Sequence, residues 1–120
     1  MEISLKISWG LLALLHVSPS LAAFVPGMIE RLYSVPSDGD LGVLLSHRGL
    51  LFLAVLVAAI YAALDPSARK LASVVCAISM VGFLVLYARA GMPQGALRKI
   101  AIADLAGLLP LVWVTYQAWR

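Results

Sequence analysis

The sequence predicts an all-α fold: a membrane four-helix bundle with short loops and one longer loop between helices 1 and 2. Three observations carry this. The composition is 62% hydrophobic and only 12% charged, with a mean hydropathy of +0.98. Soluble domains carry about 25% charged residues, so half that charge points to lipid as the solvent. Four apolar runs stand out, each near the ~20 residues that a spanning helix needs. The runs are continuous and do not alternate, which excludes the strands of a barrel and leaves helices. The 120 residues fit one transmembrane domain, 1–120.

The first run covers about residues 7–25 and contains His16 and Pro19. Lys6 ahead of it and the small-x-small triplet Ser20-Leu21-Ala22 resemble a signal peptide; the segment is nevertheless expected to be a retained first membrane helix. The longest connection comes next. Within it, Gly27 to Tyr33 is expected to form one short interfacial helix, and Asp38 or Asp40 is expected to cap the second helix. The second run, about 41–64, places His47 and Arg48 two turns inside its helix. The segment Asp65 to Lys70 is a tight turn, with Asp65 or Ser67 as cap of the third helix and Pro66 near its first turn. The third run, about 71–87, carries no charge. A short loop with Gly91, Pro93 and Gly95 leads to the fourth run, about 100–119, which contains Asp104 and Pro110. Pro19 and Pro110 are expected to bend their helices. Small residues recur four apart at Ala54, Ala58 and Ala62, at Ala72 and Cys76, and at Ala103 and Gly107. Such stripes let membrane helices approach closely.

The net charge is +3 with no basic run, so nucleic acid is excluded as a partner. The single cysteine, Cys76, forms no internal disulfide or Cys-only metal site. With four spans the termini share a side with Lys6, Arg69, Lys70 and Arg120. The other side carries Arg31, Arg48, Arg89, Arg98 and Lys99. If Arg31 and Arg48 are paired internally, the positive-inside rule favours cytoplasmic termini. Trp9, Trp113, Tyr116 and Trp119 gather towards the terminal side, as an aromatic belt would.

Asp104 is the most informative residue. It lies roughly 8 Å inside the fourth helix at 1.5 Å per residue, where a carboxylate costs up to about 2.5–3.5 kcal/mol. Such a group needs a partner or a cavity. Arg48 enters from the same side at similar depth, with Arg89 and Arg31 nearby. An Asp104–Arg48 ion pair is expected, or else a polar pocket for a headgroup, a quinone-like ring or a proton. His47 points about 100° away from Arg48 and can titrate near neutrality. His16, near the middle of the first helix, is expected to hydrogen-bond Ser18, Ser79 or a carbonyl. It has no helix-spaced second histidine to support haem ligation. Glu30 and Arg31 read as solvated loop charges. Phosphate loops, nucleophile elbows, zinc-helix motifs and CxxC pairs are absent, so no catalytic residue, metal or cofactor is expected.

The stretches Arg31 to Pro36, Leu45 to Phe52 and Leu97 to Gly107 resemble the small bacterial four-helix membrane proteins of the DoxX-like type. The resemblance implies a bacterial inner-membrane bundle, mostly of unknown function. Its matched polar positions are Tyr33, His47, Arg48 and Asp104. Some proteins of this appearance are called phosphopantetheine adenylyltransferases. That activity needs a nucleotide-binding fold and a His-x-Gly-His motif, which Ser46-His47-Arg48-Gly49 does not match. The leading expectation is a non-enzymatic protein of the bilayer, binding a lipid or small amphipathic molecule at His47, Arg48, Asp104 and Tyr33. The alternatives are an accessory subunit packed on a membrane-protein partner, and a proton-coupled small transporter working as a homo-oligomer with Asp104 as carrier.

Overall fold

Helices take up almost the whole chain and no strand is present. The computed structural model describes residues 1–120. In chain order the elements are α1 (Glu2–Leu15), α2 (Val17–Leu21), α3 (Met28–Tyr33), α4 (Gly39–Leu64), a 3-10 turn (Pro66–Ala68), α5 (Arg69–Arg89) and α6 (Ala96–Trp119). α1 packs on α4 and α6, and α5 packs on the same two, so the four long helices form a ring. The particle measures 44 × 30 × 18 Å.

The first apolar run is two helices, not one over residues 7–25. The chain breaks at His16, whose φ and ψ are −97° and 0°. Pro19 explains the break: it lacks the N–H that would reach the carbonyl of Leu15, and its ring crowds that carbonyl. The His16 N–H turns instead to the Ala13 carbonyl at 3.0 Å. Pro110 acts differently, and α6 runs through it without interruption. Asp38 occupies the N-cap position of α4 but makes no side-chain capping bond. Asp65 does cap, accepting from the Ser67 N–H at 2.9 Å and its hydroxyl at 2.7 Å. These bonds, the hydroxyl first, hold the Asp65 carboxyl below its ordinary range.

The core is built from Trp9 and Leu12 of α1, Val55, Ala59 and Ala62 of α4, Cys76 and Met80 of α5, and Leu111 and Val114 of α6. The α4 contact line is therefore Val55, Ala59 and Ala62; of the spacing-four stripe, Ala62 is buried and Ala58 packs against the core, but Ala54 is exposed. Ala72, Cys76 and Gly107 are buried as expected, with Ala103 partly so. Large apolar side chains point outward from every long helix, among them Ile3, Ile7, Val43, Val57, Leu71, Ile78, Leu109 and Val112. Two helical segments, Gly39–Leu64 and Pro66–Arg89, are long and apolar enough to cross a membrane. The expected four spans are reduced to two on this measure for physical reasons. α1 stops after fourteen residues, and α6 carries Arg98, Lys99 and Asp104.

The end of the bundle that holds both termini is laced by side-chain bonds around a concavity of about 280 Å³ lined by Leu5, Pro66, Arg69, Lys70 and Val114. Arg69 is only 7% exposed; its guanidinium binds both carboxylate oxygens of Glu2 at 3.0 and 2.8 Å. Trp119 donates to the Ser73 hydroxyl at 2.9 Å, and Lys70 lies 5.3 Å from the Trp119 ring. Trp113 donates to the Ser4 hydroxyl at 3.3 Å.

Candidate functional site

The opposite end is open as well. There α3 lies against α4 and α6, packing Ile29 and Tyr33 with Ala22 into a small second core. Arg48 sits on the inner side of α4, one turn before Phe52, so the two share a face. Its guanidinium carbon lies 4.5 Å from the Phe52 ring, 5.4 Å from Phe83 and 5.8 Å from Tyr33. The Arg48 Nε–H donates to the Tyr33 hydroxyl at 3.1 Å. That bond is the only one the guanidinium makes within the protein, so its two terminal nitrogens have no protein acceptor. Beside them lies a groove of about 260 Å³, walled by Leu45, Phe83, Tyr87, Pro93 and Leu97. The Tyr87 hydroxyl donates to the Pro93 carbonyl at 2.6 Å and fixes the α5–α6 loop as one rim.

A second cavity of about 210 Å³ lies deeper, lined by His16, Ser18, Phe52 and Asp104 among apolar side chains. Leu32 and Ile100 border it, while Tyr33 and Leu97 border the groove, so α3 and the start of α6 wall both spaces. His16 is buried at the break between α1 and α2. Its Nδ1 is 2.8 Å from the Leu12 carbonyl and its Nε2 is 3.2 Å from the Ser79 hydroxyl. A carbonyl only accepts, which assigns the proton to Nδ1 and leaves Nε2 to accept from Ser79. The imidazole is thereby saturated, and its ring centroid stands 5.6 Å from that of Phe52.

The expected Asp104–Arg48 ion pair does not form. The one ion pair within 4 Å in the molecule is Arg69–Glu2 at 2.8 Å. The planar group of Arg48 is engaged instead by the Phe52 ring and Tyr33. The Asp104 carboxylate makes no hydrogen bond, and the residue lines the deeper cavity. His47 is not in the cluster either. It is exposed and borders a separate shallow concavity with Ser37, Gly42 and Ser46. Arg89 and Arg31 are exposed, each without an ion-pair partner. Glu30 is exposed but engaged, accepting from the Ser37 hydroxyl. That bond holds its carboxyl below the usual range, and it ties α3 to the start of α4.

The structure thus brings together Tyr33, Arg48, Asp104 and His16. It adds Phe52, Phe83, Tyr87 and Ser79. Two helical spacings could have flagged the aromatics: Arg48 to Phe52 and Phe83 to Tyr87 are both i, i+4. Nothing in the sequence marks Ser79 beyond its being a hydroxyl in an apolar run. No protein-family model matches the chain, and no curated protein or solved structure is detectably similar to it.

Proposed function

We propose that the chain is a small integral membrane protein, without a catalytic role, that binds an amphipathic molecule or lipid by its anionic head at Arg48. The reading of a membrane bundle rests on surface chemistry. Exposed Ile3, Ile7 and Leu14 on α1, Val57 and Leu64 on α4, Ile78 and Leu86 on α5, and Leu105, Leu109 and Val112 on α6 leave apolar surface on all sides. In water such surface drives association; in lipid it is the solvated face. Residues 3–21 together run about 28 Å at 1.5 Å per residue, so α1 and α2 cross as one broken span beside α4, α5 and α6. Broken helices are tolerated at membrane depth where the freed groups find partners, as His16 does. The resemblance to the DoxX-like type rests on the same end of the molecule, since Tyr33, Arg48 and Asp104 all lie there.

The observation that carries the binding reading is the state of Arg48. Three rings and one hydroxyl hold its guanidinium in place. Two nitrogens of a planar fork are left facing an apolar groove. A fork of that shape matches a carboxylate or phosphate in bidentate fashion, and the groove receives the first carbons of a tail. The test is isothermal titration of the protein in dodecyl maltoside with octyl phosphate. Saturable binding that weakens about tenfold or more in Arg48→Gln (about 1.4 kcal/mol) and is unchanged in Arg89→Gln, an exposed control, supports the reading. Equal affinity in wild type and Arg48→Gln refutes it.

A further inference from the structure

We propose that the deeper cavity, lined by Asp104, Phe52 and His16, is a separate binding site for a small organic ammonium ion. Its polar equipment is one-sided. Asp104 lines the space, and its carboxylate has no hydrogen bond or ion pair of its own. The His16 nitrogens are both engaged, by the Leu12 carbonyl and the Ser79 hydroxyl, so the imidazole offers only its ring. Phe52 adds a second aromatic surface, 5.6 Å from the first. The Ser18 hydroxyl is the only group on the wall able to donate. A carboxylate beside aromatic rings recognises a cation carried on carbon, through charge and through the ring faces. Leu14, Leu15 and Ile100 complete the wall and suit apolar substituents on that nitrogen.

Other occupants fit less well. An anion would meet an unpaired carboxylate. A bare metal ion needs several oxygen or nitrogen ligands, and the molecule holds no group of three or more His, Cys, Asp or Glu side chains able to bind one. The volume, about 210 Å³, falls below the ~300–1,000 Å³ of drug-sized sites. It holds a head, not a whole amphipath. Leu14 and Ser18 are exposed, so the space opens sideways beside the α1–α2 break. Arg48 lies against Phe52, which borders the same space, and bonds to Tyr33. Its charge opposes a second cation. Removing that charge therefore strengthens ammonium binding while abolishing binding of the anionic head, which separates this site from the one at Arg48.

The probe is benzyltrimethylammonium, titrated calorimetrically into the protein in uncharged dodecyl maltoside, with neutral neopentylbenzene as the carbon isostere. Expected are saturable binding to wild type, at least about tenfold weaker binding to Asp104→Asn, and equal or tighter binding to Arg48→Gln. Displacement of the probe by dihexanoylphosphatidylcholine, but not by dihexanoylphosphatidylglycerol, names a choline headgroup as the source of the ammonium; displacement by neither names a free amine. Unfolding temperatures of both variants establish that they fold. Three results would each overturn the proposal: no saturable binding to wild type, equal affinity in folded Asp104→Asn, or neopentylbenzene binding as tightly as the cation.

Discussion

Replacing Arg69 by Met would untie the terminal end of the bundle, and the cost can be worked from its bonds. Ala62 lies in the last turn of α4, where carbonyls lack helical partners. Its i+4 residue is Pro66, which has no N–H to give. The next carbonyl, Ala63, would look to Ser67, whose N–H is taken by Asp65. Arg69 supplies both deficits, donating from Nε to the Ala62 carbonyl at 2.7 Å and from Nη2 to the Ala63 carbonyl at 3.2 Å. Met keeps the stem volume but removes both donors. A buried acceptor left unsatisfied costs about 1–3 kcal/mol; with the longer bond counted at the low end, Arg69→Met is expected to lose about 3 kcal/mol. At about 4 °C per kcal/mol for a chain of this size, the unfolding midpoint falls by about 12 °C. The molecule carries its own reporter. Cys76 is its single thiol and is fully buried, so a thiol-activated dye stays dark until the bundle opens. Lys70→Met, at an exposed neighbour, serves as control. A fall of less than about 3 °C in Arg69→Met would refute the view that this guanidinium caps α4.

The other predictions concern charge, close packing and orientation. The Arg69 hydrogen bond, with smaller help from charge, holds the Glu2 carboxyl below its ordinary 4.5. A depressed carboxyl stabilises the fold above its unfolded value and loses that contribution as pH falls through the folded one. The melting difference between wild type and Glu2→Gln should therefore persist at pH 6 and shrink steadily below about 4.5; a constant difference down to pH 3 would contradict this. At Gly49, a Cβ would come within 2.9 Å of the Ala23 nitrogen and 3.2 Å of the Pro19 carbonyl, both backbone. At Gly107 it would meet the mobile ends of Leu15 and Met80. Gly49→Ala should cost about 1–3 kcal/mol and Gly107→Ala clearly less, and the reverse order in the same dye assay would count against the close contact of α2 and α4. Pairing of Arg69 leaves Lys6, Lys70 and Arg120 at the terminal end, against exposed Arg31, Arg89, Arg98 and Lys99 at the other. If the bundle spans a membrane as proposed, the positive-inside rule favours a cytoplasmic α3 end, the reverse of the cytoplasmic termini expected from internal pairing of Arg31 and Arg48. An impermeant maleimide added to intact cells should modify Ser67→Cys and spare Met92→Cys, and the opposite pattern would place the termini inside.

The long helices were legible in the sequence because continuous apolar runs bounded by Pro, Gly and Asp leave little else. Depth was legible too: Arg48 and Asp104 enter from one end at similar distance, and both border cavities there. Azimuth was not. A residue's rotation about its helix depends on which neighbours pack, and in a chain apolar all round the pattern does not choose a face. That is why His47, one residue from Arg48, turned out to be exposed, and why Ala54 left the contact line while Val55 and Ala59 entered it. The role of Arg69 was hidden for another reason. Counted as a surface charge, it is one of several; only the meeting of the chain start with the α4–α5 turn shows that Glu2 and two orphan carbonyls await it. Its signal was Pro66 four residues after Ala62, which removes a donor at the end of a helix.

The separation of Arg48 from Asp104 is what gives the open end a chemistry. In a medium of low dielectric two opposite charges gain much by meeting, and a direct pair would satisfy both and leave nothing to bind. Phe52 intervenes. It borders the space that Asp104 also lines, while the guanidinium lies 4.5 Å from its ring centroid. Tyr33 strengthens the separation by holding Nε on the groove side. A site whose charges are held apart by an aromatic ring is already organised for charges brought from outside, so ordering it adds little to the cost of binding. On the proposed reading, Phe52, which touches the guanidinium and borders the Asp104 cavity, is the element shared by two adjacent sites of opposite sign.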